Sequence, residues 1–155
     1  MPIAKLKKYL DKEKVRYVTV CHSRAYTAQE TAASAHIPGK DLAKTVMVKI
    51  DGKMAMAVLP ASFRVDFELL KGAAGTDDVQ LAKEEEFVKM LPECDVGAMP
   101  PFGNLYGLDV YVSPKLESYD EIAFNAGTHT ELMKLAYRDF ERLVHPRVLA
   151  LAKGT

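Results

Sequence analysis

Apolar positions Ile3, Leu6 and Leu10 recur at helical spacing, and Pro2 suits a first helical turn, so the pattern predicts an amphipathic helix over residues 2–14. Tyr17 to Val20 is aromatic and β-branched and reads as a strand. Thr27 and Glu30 form a capping box that opens an Ala-rich helix over residues 28–36, stopped by Pro38-Gly39. Residues 45–50 and 53–59 flank Asp51-Gly52, a pair able to take the positive φ angles of a tight turn, and together predict a hairpin. Residues 63–71 and 83–91 suggest two short helices, the second ended by Pro92. The segment 92–107 holds Gly97, Pro100, Pro101, Gly103 and Gly107 and is expected to be a loop. Strands over 108–112, 121–126 and 129–136 follow, then a helix capped by Asp139 and interrupted by Pro146, then a last helical stretch over 147–153. Irregularly mixed helices and strands indicate an α+β fold with a mixed sheet, and no linker or repeat divides the single domain 1–155.

The 155 residues are 48% apolar, enough to bury roughly two-thirds of the unfolded surface. No apolar run approaches the ~20 residues that cross a bilayer, and the charged start MPIAKLKKYLDKEKV is unlike a secretory signal, which predicts a cytoplasmic protein without a membrane partner. Cys21 and Cys94 stand apart and suggest reduced thiols. A net charge of zero argues against a protein that coats long nucleic acid such as DNA. The charge is uneven, with six basic residues in 5–16, seven acidic residues in 77–95, and Arg138, Arg142, Arg147 and Lys153 in the tail. Such clusters suit solvated helix faces, or a basic face that holds a short structured RNA end.

No Gly-rich phosphate loop, H-E-x-x-H, paired C-x-x-C or G-x-S-x-G is present. Cys21, His22, Cys94 and His129 are too scattered to predict a metal site, and no cofactor is expected. The 92–107 loop therefore carries the functional reading. Its apolar Met99, Phe102, Leu105 and Tyr106 argue for order, either as a rigid connector or as a ligand loop. Because Pro100 and Pro101 have no N–H, its available backbone donors are those of Gly97, Ala98, Met99, Phe102 and Gly103.

Three motifs occur in order: Lys44 within Leu42-Ala43-Lys44-Thr45-Val46; Gly97-Ala98-Met99-Pro100-Pro101 followed by Phe102-Gly103; and Phe124-Asn125-Ala126-Gly127-Thr128-His129-Thr130-Glu131-Leu132. A looser fourth runs from His22 to Thr27. In this order and spacing the chain resembles the YbaK/prolyl-tRNA synthetase-associated editing domain family over nearly its whole length. The resemblance implies a barrel-like mixed sheet surrounded by helices. It also implies a freestanding deacylase that hydrolyses the ester of a mischarged tRNA, that for proline carrying a small wrong amino acid. The implied partners are the tRNA acceptor end and an aminoacyl-tRNA synthetase. A non-catalytic tRNA- or synthetase-binding module on the same fold is the alternative.

By the same resemblance, Lys44, Gly97 and His129 are the catalytic candidates. Lys44 would hold the terminal phosphate or the aminoacyl end, and Gly97 would aim loop N–H groups at the ester carbonyl as it gains charge. His129 would bind the substrate's ammonium or ribose, or else be a structural histidine bonded to backbone. His22, Thr45, Ala98, Met99, Pro100, Pro101, Phe102, Gly127 and Thr128 would contact substrate, with Met99, Pro100 and Phe102 forming an apolar pocket wall. The terminal ribose hydroxyl would help orient water, so no metal or general base is implied. Family members that clear alanine carry Lys-Asn at the strand start; here it is Lys44-Thr45, which leaves cysteine, serine, threonine or another small residue open.

Overall fold

The computed structural model describes residues 4–21, 42–91 and 93–154. The Thr27–Glu30 capping box, the helix over 28–36 and His22 lie outside them.

The first helix, α1 (Ala4–Lys12), buries Leu6 and Leu10 on one face, as their spacing requires. Strand β1 (Tyr17–Cys21) follows, and the hairpin strands β2 (Ala43–Ile50) and β3 (Lys53–Pro60) pair antiparallel from Ile50↔Lys53 to Ala43↔Pro60. Asp51 and Gly52 at its tip have φ of 52° and 79°, the positive values that Asp-Gly tolerates. Strand β4 (Phe63–Val65) precedes α2 (Phe67–Ala74), and β5 (Val79–Leu81) precedes α3 (Glu84–Phe87). A 3₁₀ turn at Gly103–Tyr106 leads into β6 (Asp109–Val112). Strands β7 (Glu121–Asn125) and β8 (Glu131–Ala136), helix α4 (Tyr137–Val144), and strands β9 (Arg147–Val148) and β10 (Ala152–Gly154) complete the chain.

Among the described residues the strands form three sheets, in the orders β1-β8-β7, β10-β4 and β5-β2-β3-β6-β9. The largest is antiparallel around the hairpin and parallel across β3, β6 and β9. A parallel bridge between Leu42 and Ala123 joins it to the β7 sheet, and among the described residues the sheets do not close into a barrel. Side-chain alternation along β2 and β3 splits the core. Ala43, Met47, Met56 and Val58 face one cluster, with α1, β7, β8 and α4. Val48, Ile50, Ala55, Ala57 and Leu59 face another, with Leu70 of α2 and Leu151. No helix among the described residues is long and apolar enough to cross a membrane.

Four expectations are corrected. Residues 63–65 form a strand, not the start of a helix, because they pair with β10; the helix begins only after Asp66, whose side chain accepts the Leu69 N–H at 3.0 Å. The predicted helix over 147–153 is instead β9 and β10: the Asp66 N–H bonds to the Leu151 carbonyl and the Leu149 N–H to that of Val112, so partners distant in sequence override local propensity. The helix over 83–91 is only Glu84–Phe87; a segment this short, anchored by buried Phe87 alone, gains little from propagation, and turns follow it. Asp139 is not the cap of the final helix, which starts at Tyr137 after Ala136; it lies in the first turn, where its charge suits the helix N-terminus.

Candidate active site

Strand β7 holds the site together. At its middle, the Leu42–Ala123 bridge seats the entry to β2, so Lys44 lies two residues along from a fixed contact. Past its end, Gly127 grips the glycine loop: the Asp95 N–H bonds to the Gly127 carbonyl at 2.7 Å, and the Gly127 N–H bonds to the Ala98 carbonyl at 2.9 Å. The Ala98 N–H closes a turn onto the Asp95 carbonyl at 3.0 Å.

Within that turn Gly97 has φ of 84°, a left-handed conformation that favours glycine. His129 packs against it; a Cβ on Gly97 would stand 3.4 Å from His129 Cε1. The imidazole is buried and its Nε2 lies 2.7 Å from the Val96 carbonyl oxygen. A carbonyl can only accept, so Nε2 carries the proton and donates. The His129 N–H also reaches Asp95 Oδ2 at 3.4 Å. Of the two roles open for His129, the geometry is that of the backbone-bonded brace.

The Gly97 N–H points at Met99 Sδ, 3.2 Å away. A thioether is a weak acceptor, so this donor is held in place yet easily taken over by a better oxygen. The Ala98 N–H is already spent within the turn, and Ala98 has no accessible surface. Phe102 is corrected from pocket wall to core. It is fully buried, with ring centroids 5.5 Å from Phe124, 5.6 Å from Phe140 and 6.5 Å from Tyr9. Met99, Pro100, Pro101 and Gly127 are also buried, and Thr128 is half-buried beside Thr130, with hydroxyls 3.4 Å apart.

Lys44 is half-buried opposite Leu59 and forms no ion pair among the described residues. Burial holds its ammonium below the ordinary lysine range, and the nearby Arg64 guanidinium pushes the same way. Thr45 alternates to the opposite face, beside Val58. Asn125, part of the third motif, ends β7 with its Oδ1 buried and unbonded among the described residues. Asp95, which braces the loop, sits in an acidic stretch where nothing in the sequence marks it out.

Several basic residues outside the site are engaged locally. Arg142 meets Asp139 at 3.4 Å and Lys153 meets Asp66 at 3.1 Å, while Lys5 lies 4.6 Å from the Tyr106 ring centre and Arg147 lies 5.7 Å from that of Tyr111. Among the described residues no three His, Cys, Asp or Glu side chains gather into a metal-holding group.

A small α+β domain thus ties a half-buried lysine and a histidine-braced glycine turn to one strand. The chain belongs to the aminoacyl-tRNA editing domain family, whose model matches residues 22–143. It is 33% identical over 112 residues to the multifunctional Ser/Thr-tRNA deacylase ProXp-y of Escherichia coli K12, covering 69% of this chain and 66% of that protein. It is 30% identical over 122 residues to a proline–tRNA ligase of Staphylococcus saprophyticus, covering 75% of this chain but 20% of the ligase. A solved structure described as a candidate trans-editing enzyme for prolyl tRNA synthetase shares the fold, with a TM-score of 0.82 at 19% identity over 97% of this chain and 96% of that one.

Proposed function

We propose that the chain is a trans-editing deacylase that cleaves the ester of a mischarged tRNA in the cytoplasm. The observation that carries this reading is the attachment of both Lys44 and the Gly97–His129 turn to strand β7. Lys44 binds the phosphate of the terminal nucleotide, and its partly dehydrated ammonium makes that contact stronger than one in open water. The Gly97 N–H leaves the Met99 sulfur and donates to the ester carbonyl as negative charge gathers there. Water adds to the carbonyl carbon, the bond to the ribose oxygen breaks, and that oxygen leaves with a proton. The free ribose hydroxyl orients the water, and neither a metal nor a protein base takes part. Holding the reactants in one geometry supplies the acceleration, a factor that reaches roughly 7–11 kcal/mol in favourable cases.

The substrate is a small amino acid on tRNA for proline. Lys44-Thr45 at the strand entry and the likeness to a protein named a Ser/Thr-tRNA deacylase support serine or threonine as that amino acid. A synthetase partner adds affinity that a chain of zero net charge lacks. The test is release of amino acid from purified tRNAs charged with serine, threonine, alanine or cysteine, with and without a chelator. Hydrolysis of at least one, unaffected by chelation, is expected. Binding of these tRNAs without hydrolysis would replace the enzyme by a binding module.

A further inference from the structure

Asn125 is the last residue of β7, and its neighbours fix the direction of its side chain. Leu42 and Ala123 are bridged in parallel and share a small apolar cluster with Leu132, the residue paired with Asn125. Two residues further along each strand come Lys44 and Asn125, so strand alternation sets both on the face that Leu42 and Ala123 share. The Oδ1 of Asn125 is buried, and no hydrogen bond reaches it among the described residues. A buried acceptor left without a donor is costly, and a protein keeps one where a ligand completes it.

We propose that the Asn125 carboxamide binds the free hydroxyl of the terminal ribose, beside the ester; this rests on the deacylase reading above. Electrostatics chooses among the donors such a substrate offers. The α-ammonium of the amino acid would be repelled by Lys44 on the neighbouring strand, whereas the ribose hydroxyl is neutral. Lys44 draws in the phosphate of the same nucleotide, and the single Leu42–Ala123 bridge, two residues before each, brings the two side chains to one region of the fold. A hydroxyl both donates and accepts, so it satisfies either end of the carboxamide. Asn125 thereby holds the group that orients the attacking water.

The experiment uses RNA minihelices ending in 3′-amino-3′-deoxyadenosine with serine in amide linkage, which cannot be hydrolysed as esters, and matched minihelices that also lack the 2′-hydroxyl. Wild type is expected to bind the hydroxyl-bearing analogue about tenfold more tightly, the worth of one good hydrogen bond. Asn125→Ala is expected to bind both alike, at the affinity wild type shows for the deoxy analogue. Its melting temperature should not fall, because the substitution removes a buried acceptor that no donor reaches among the described residues; an asparagine that merely held the fold would lower it and weaken both analogues equally. A hydroxyl preference retained in Asn125→Ala, or absent in wild type, overturns the assignment. If wild type also cleaves no mischarged tRNA, the deacylase reading falls with it; if cleavage is intact, only the role of Asn125 falls.

Discussion

His129 Nε2 stands 2.7 Å from the Val96 carbonyl oxygen, which fixes the imidazole against Gly97 and locks the turn whose N–H meets the Met99 sulfur. Two residues far apart in sequence thus shape one backbone donor.

Gly97→Ala should therefore injure both stability and turnover. Its φ of 84° is strained for any residue with a Cβ, at a cost of about 1–3 kcal/mol, and the new methyl would meet His129 Cε1 at 3.4 Å. Thermal melts should show the loss, and single-turnover deacylation should fall by at least about tenfold as the donor is displaced. Full activity in this variant would remove the Gly97 N–H from the mechanism.

If His129 is a brace, stability and activity should decline together in His129→Ala. The bond to Val96 and the packing under Gly97 are worth about 1–2 kcal/mol. His129→Gln keeps a donor and should recover part of both. Lost turnover in His129→Ala at an unchanged melting temperature would assign the ring a direct contact with substrate instead.

Lys44 should behave in the opposite way. Its pKa is lowered in the folded state, so between the folded and unfolded values the unfolded chain binds more protons and stability rises with pH. Lys44→Met should abolish this rise and melt no lower than wild type at pH 7, yet lose most deacylation. Because the wild-type ammonium deprotonates below the ordinary lysine range, turnover should fall on the alkaline side. Lys44→Arg should carry that fall to higher pH. An alkaline limb that does not move in Lys44→Arg would contradict the assignment.

Phe102 separates a core from a pocket. Phe102→Ala should cost about 3–5 kcal/mol, since a fully buried ring leaves a cavity among Tyr9, Phe124 and Phe140. Phe102→Leu should fold and keep the same preference among amino acids. A shift in that preference would return the residue to the substrate pocket.

What was legible in the sequence follows from what local chemistry dictates. Asp51-Gly52 announces its hairpin because few residues accept two positive φ angles in succession. Leu6 and Leu10 mark α1 by spacing alone. Residues 63–65 and 152–154 are strands only because each finds the other across the fold, a pairing absent from any local window. Lys44, Gly97 and His129 stand out through motif order, and the fold hangs all three on β7. Phe102 looks like any apolar loop residue until its aromatic neighbours are known. The buried Oδ1 of Asn125 is equally silent, because an unsatisfied acceptor is a property of surroundings rather than of residue type.

Single-turnover hydrolysis of seryl- and threonyl-tRNA for proline, wild type against Lys44→Ala, tests the central claim most directly. Wild type is predicted to release the amino acid, and the variant to do so at least about 100-fold more slowly, the scale of loss when a substrate is no longer held in register. Equal rates in the two proteins would show that the lysine at the entry to β2 does not hold the tRNA terminus, and would contradict the account.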